Sequence, residues 1–128
     1  MLLIKREVDN QIGSVNNVDP LLERMLAELN DNGYLTKYSC QGNATNFSYI
    51  IFTSQEDALQ VYDFFKIVLQ KLRWSKRYWV TCHDYLHPHS TKSSTKTKRV
   101  VKWDKSLTYN STNWSKFEKT FLRILTKK

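Results

Sequence analysis

A chain of 128 residues, 41 % hydrophobic and 25 % charged, has the composition of a globular protein. It is long enough for a single domain, 1–128, with a core that needs no disulfide or metal staple. No apolar run approaches the roughly 20 residues that a membrane span requires, and the opening Met-Leu-Leu-Ile meets Lys5 and Arg6 too soon for a secretory signal. The expected setting is therefore cytoplasmic, with Cys40 and Cys82 as reduced thiols. The net charge of +8 is uneven: residues 1–70 hold five Lys/Arg against nine Asp/Glu, and residues 71–128 hold fifteen against three. A half this basic suits an anionic partner.

In chain order, residues 2–8 read as a first strand and residues 9–18, rich in Asn, Asp, Ser and Gly, as a loop. A helix follows. Asp19 suits its cap, Pro20 its first position and Gly33 a left-handed close, while Leu22, Met25, Leu26 and Leu29 make one apolar stripe. Tyr34–Cys40 and Phe47–Thr53 read as strands on their aromatic and β-branched content. Ser54 caps a second helix with Glu56 and Asp57 in its first turn, and Ala58, Val61, Tyr62, Phe65, Val68, Leu69 and Leu72 on its apolar side. Arg77–His83 is a further strand. Residues 84–98, with Pro88, three serines and a series of lysines, read as a flexible basic loop. Val100–Trp103 is a short strand, extended toward Leu107–Tyr109, and a last helix spans about 113–126. The order is (β)αββαββα. Short ββ links favour antiparallel pairing, so the expected fold is α+β, a mainly antiparallel sheet of four or five strands packed by three helices.

Three groups of residues carry chemistry. The first is the turn Ser39-Cys40-Gln41-Gly42-Asn43, whose backbone N–H groups and short polar side chains suit an anion, although a plain turn also uses Gly42 for positive φ and Asn43 for local hydrogen bonds. The second is Cys82, His83, His87 and His89, residue types that ligate zinc; without a Cys-x-x-Cys pair a metal is not the expected reading. Cys40 or Cys82 as a nucleophile with His83 and Asp84 is a further arrangement, opposed by the alternation of neighbours on a strand. The third is a basic, aromatic-laced region: Arg73, Trp74, Lys76, Arg77, Tyr78 and Trp79, then Lys92, Lys96, Lys98, Arg99, Lys102 and Trp103. Its cations attract phosphate and its rings can stack on a base.

The layout Gly33-x-x-Thr36-x-x-Ser39-Cys40-x-Gly42 between a helix and a strand resembles small phage and bacterial proteins. It is also similar, over about a third of the chain, to the wybutosine-synthesis methyltransferase family called TYW-three. Thr36, Ser39, Cys40 and Gly42 match that family's first block, and Trp79-Val80-Thr81-Cys82-His83-Asp84 its second. Asn43 stands where the family has an arginine. The resemblance to phage proteins implies an accessory role such as sequestering a nucleotide immune signal. The resemblance to the methyltransferases implies adenosylmethionine at Cys40–Gly42 and a tRNA substrate.

The leading expectation is non-catalytic binding of an anionic nucleotide-type ligand with no cofactor. Phosphates would meet Arg77, Lys98, Arg99 and the turn Ser39–Asn43, and a base would meet Tyr78, Trp79 or Tyr38. RNA or DNA binding through residues 90–99 and 113–126, and the adenosylmethionine-dependent enzyme, are the alternatives. No membrane partner is expected; self-association is left open.

Overall fold

The computed structural model describes residues 19–42, 47–85 and 97–127. The strand read at 2–8 and the loop read at 9–18 lie outside the described residues, as do Asn43, His87 and His89. The described fold is α+β.

A single 3-10 turn at Pro20–Leu22 leads into α1 (Glu23–Asp31). Pro20 opens it as expected, but the Asp19 carboxylate caps nothing; it accepts from the Gln41 backbone N–H at 2.8 Å. Gly33, at φ 89°, closes α1. Gly33 N–H donates to Asn30 O and Tyr34 N–H to Leu29 O, the paired bonds of a Schellman end. Strands β1 (Thr36–Cys40) and β2 (Ser48–Phe52) form an antiparallel pair with a bulge at Lys37.

Ser54 caps α2 (Gln55–Lys71) by accepting from Asp57 N–H. This helix ends like α1, with Arg73 N–H on Gln70 O and Trp74 N–H on Leu69 O, but the left-handed position is held by Arg73 at φ 62°. The chain then turns through Trp74–Tyr78, so β3 begins at Val80 and not at Arg77.

Strand β3 (Val80–Tyr85) runs two residues past the expected end at His83, and β4 (Thr97–Trp103) starts three residues before the expected Val100. Asp84, Tyr85, Thr97 and Lys98 belong to strands and not to the basic loop, because Asp84 pairs with Lys98 and Tyr85 with Thr97; residues 86–96 lie outside the described residues. Nor does β4 extend toward Tyr109. Asp104 accepts from Ser106 N–H and starts a short helix, α3 (Lys105–Thr108), which makes four helices among the described residues where three were expected. The last helix, α4 (Ser111–Thr126), is capped by Asn110 and starts two residues earlier than its apolar stripe suggested.

The sheet order is β1-β2-β4-β3, all neighbours antiparallel. The helix α2 lies against β2, β3 and β4, α4 lies against α2, and α1 lies against α4 and β1. Alternation assigns Ser48, Ile50, Phe52, Val80, Cys82, Val101 and Trp103 to the helix side of the sheet. Tyr38, Cys40, Tyr49, Ile51, Thr81, His83, Val100 and Lys102 fall on the other. The core is dense in aromatic rings. Phe65 sits 4.8 Å from Trp103 and 5.0 Å from Phe117, and Trp103 and Trp114 are stacked 6.1 Å apart. Offset and edge contacts of this kind add about 0.5–1.5 kcal/mol per pair beyond buried area.

Candidate functional site

The end of the sheet where β1 stops, β2 starts, β4 stops and β3 starts brings two turns together. The first is the turn after β1. The polar groups of Gln41 and Gly42 are engaged within the protein. Gln41 N–H donates to Asp19, Gln41 Oε1 accepts from Leu21 N–H, and Gln41 Nε2 donates to the Tyr109 hydroxyl. That hydroxyl donates to Gly42 O, and Gly42 N–H points at Cys40 Sγ, 3.4 Å away. Gly42 has φ 103°, and a Cβ there would meet Lys105 Cβ at 3.0 Å and Ser48 Oγ at 3.2 Å.

Beneath this turn runs a chain of hydroxyls that no local sequence signal marks. The Trp103 indole N–H donates to Thr108 Oγ1 at 2.8 Å, Thr108 and Ser48 share a hydrogen bond at 2.8 Å, and Ser48 Oγ donates to Gln41 O at 2.6 Å. An indole only donates and a carbonyl only accepts. The protons therefore all point one way, from Trp103 through Thr108 and Ser48 to Gln41. Ser48 and Thr108 are fully buried, and this chain satisfies them.

The second turn, Trp74–Trp79, is built differently. Arg77 and Tyr78 N–H groups both donate to Trp74 O. Tyr78 is only 6 % exposed, and its hydroxyl accepts from Asn113 Nδ2 at 2.7 Å. It is thus a wall and not a free stacking ring. The Arg77 guanidinium lies 5.5 Å over the Tyr78 ring. Trp79 is 38 % exposed and meets the edge of Phe47, itself 47 % exposed, at 5.1 Å. Lys102 Nζ sits 4.9 Å over Phe47.

Between this turn and α2 opens a cavity of about 440 Å³, lined by Lys66, Leu69, Gln70, Ser75, Tyr78, Trp79 and Val80. Arg73, Lys76 and Arg77 are exposed on the adjoining turn. Lys66 keeps an exposed contact with Asp63 at 3.6 Å and lies 4.4 Å over Tyr62, a surface pairing that a ligand phosphate can replace at little cost. Sequence reasoning had passed over Lys66, Gln70 and Ser75. Lys66 and Gln70 are four apart on α2 and so share a face, which was the available signal.

The candidate residues do not form one site. Arg77, Tyr78 and Trp79 lie at the same end of the sheet as Ser39, Cys40, Gln41 and Gly42. Lys98 and Arg99 lie at the other end, five and four residues up β4 from Trp103, roughly 17 and 13 Å at the rise of a strand. There Lys98 N–H donates to Gln55 Oε1 and Arg99 Nη1 to Thr53 O. Trp103, considered for stacking, is 1 % exposed and belongs to the core.

Cys82 packs against the core, while His83 takes the opposite face, its Nδ1 3.1 Å from Asp84 O and its Nε2 buried without a hydrogen bond. Burial pushes the Cys82 thiol up, an effect that Lys98 partly offsets and Asp63 and Asp84 reinforce; a thiol so held is a poor nucleophile at neutral pH. Among the described residues no three His, Cys, Asp or Glu side chains gather as a metal site, and no helix is long and apolar enough to cross a membrane. Compared with protein-family models, curated proteins and solved structures, the chain matches none.

Proposed function

We propose that this protein binds a nucleotide-type anionic ligand, without transforming it, in the cavity between α2 and the start of β3. The observation that carries this reading is the lining: an exposed tryptophan, an amide, a hydroxyl and an ammonium around about 440 Å³, within the ~300–1,000 Å³ usual for ligand pockets. Trp79 offers a face for a base. Gln70 can both donate to and accept from the base edge. Lys66 and Arg77 suit phosphate oxygens, Lys66 as a point charge and Arg77 as a two-pronged donor. The basic balance of residues 71–128 raises the local concentration of such a ligand.

The lining includes no carboxylate, histidine or cysteine that would activate the Ser75 hydroxyl as a nucleophile. Binding without turnover amounts to sequestration, the role that the resemblance to phage proteins implies.

Tryptophan fluorescence titrated with a panel of mononucleotides and cyclic nucleotides tests the reading. Binding should quench Trp79, and Trp79→Ala should weaken it by about 1–3 kcal/mol, the worth of one base–aromatic stack, with the fold intact. Absence of any response at millimolar nucleotide would reject the site. Recovery of a converted nucleotide after denaturing the complex would reject the non-catalytic part.

A further inference from the structure

The cavity opens beside a surface that extends its chemistry. Trp79 lines the cavity and also meets Phe47. Phe47 has no polar tip, yet nearly half of it is exposed, and it carries the Lys102 ammonium over its ring. The sheet face turned away from the helices continues from there. Lys102 pairs with Tyr49 on β2 and Thr81 on β3, and Cys40 pairs with Tyr49 on β1. One row further lie Tyr38, 39 % exposed with the Lys37 ammonium 5.7 Å from its ring, and His83. From the Trp79–Phe47 row to the Tyr38 row is roughly 13 Å at strand rise. An isolated exposed ring needs no explanation. A succession of rings with ammonium groups set over them does, because a single base takes one stacking partner and a series of rings takes a series of bases.

Resting on the pocket reading above, we infer that the ligand is a single-stranded nucleic-acid segment of several nucleotides. One nucleotide occupies the cavity, and its neighbours cross Phe47 and Lys102 along the side of the sheet that carries Tyr49 and Tyr38. Charge complementarity selects this occupant: the chain is +8 overall, with fifteen cations against three carboxylates in residues 71–128. The exposed rings select the single strand over the duplex, since base faces are reachable only where they are unpaired. Phe47 supplies the second stacking platform and Lys102 the phosphate contact between the two bases.

The test uses the intact chain and oligonucleotides of thymidylate and uridylate, one, two, four and eight nucleotides long, at two salt concentrations. Affinity should rise at least tenfold from one nucleotide to four and then level. Its logarithm should fall with log salt at a slope near −0.7 per contacted phosphate. Phe47→Ala and Lys102→Gln should each weaken the four-mer at least fivefold and leave the mononucleotide within twofold. Lys102→Gln changes a partly exposed side chain, so it serves even if Phe47→Ala melts early. A preference for thymidylate or uridylate identifies DNA or RNA as the source and supports the inference either way. A mononucleotide that binds as tightly as the four-mer, or a four-mer indifferent to both substitutions, overturns the path across the sheet and leaves the pocket standing. Duplex bound as well as single strand overturns the path too. If neither mononucleotide nor oligomer binds, both the path and the pocket fall.

Discussion

The turn Ser39–Gly42 and the turn Trp74–Trp79 lie at the same end of one sheet, and both are polar. In the first, Gln41 uses its backbone N–H and both side-chain amide atoms on Asp19, Leu21 and Tyr109, and its carbonyl takes the end of a buried hydroxyl chain. In the second, the backbone closes on itself and the side chains of Ser75, Lys76, Arg77 and Trp79 are left at the surface, beside a cavity. A residue type says what a group can bond to; whether it is still available depends on what the fold has already placed beside it. Asp19, twenty-two residues away from Gln41, is what turns an apparent anion site into a clasp.

Substitutions in the clasp should cost stability and spare binding, and those around the cavity should do the reverse. The largest effect is expected at Thr108. Thr108→Val leaves the Trp103 indole N–H without its partner in the core, a loss of about 1–3 kcal/mol, and removes the hydrogen bond that Ser48 Oγ accepts, about 1 kcal/mol more, while Ser48 still donates to Gln41 O. Urea unfolding should show about 3 kcal/mol lost, with unchanged nucleotide affinity for the protein that remains folded. Gly42→Ala comes next. A left-handed alanine costs roughly 1–2 kcal/mol, and its Cβ meets Lys105 and Ser48, so about 2 kcal/mol should be lost. If either variant kept its stability and lost affinity, the two turns would have exchanged roles.

On the other side of the comparison, Arg73→Gly should gain about 0.5–1 kcal/mol in thermal unfolding. It relieves the left-handed arginine, partly offset by the extra freedom of glycine in the unfolded chain. It also removes one cation near the cavity, so a small loss of nucleotide affinity should accompany the gain in stability.

The smallest expected effect concerns Glu118. Burial pushes its carboxyl up and Arg24 partly offsets this. The folded state therefore holds the proton more tightly than the unfolded chain does. Stability falls as pH rises out of the ordinary carboxylate range and through the folded value. Glu118→Gln should flatten that fall. Its advantage in melting temperature should be present at pH 7 and gone near pH 4, and solvent screening keeps it within ~0.5 kcal/mol.

Much of the framework could be read directly. Pro20, Gly33 and Ser54 mark helix ends by rules that act within a few residues, and α2 and α4 show their apolar faces by period. Elements set by distant partners could not be read. Asp19 looks like a cap until Gln41 is beside it. Ser48 looks like a surface residue until Thr108 and the Gln41 carbonyl enclose it. Arg73 ends a helix in a position where glycine would have announced it. Val100–Trp103 was legible as a strand, but its stop rests on Asp104 accepting from Ser106, a short cap lost among polar neighbours. The site suffered most. Lys98, Arg99 and Arg77 share a composition and a half of the sequence, yet β4 separates them by its own length. The cavity's Lys66, Gln70 and Ser75 look like ordinary solvated positions when no fold sets them around a space.

The one-way hydroxyl chain under the first turn also bears on how the domain opens. Its four members come from the β1–β2 turn, β2, the end of β4 and α3, so no single local motion frees the Trp103 indole proton. That proton should exchange with deuterium only through the global transition, at a rate reporting the full unfolding equilibrium. The exposed Trp79 indole should exchange with the solvent's own rhythm. Two indole resonances in one spectrum would then time the slowest and the fastest events of the same molecule.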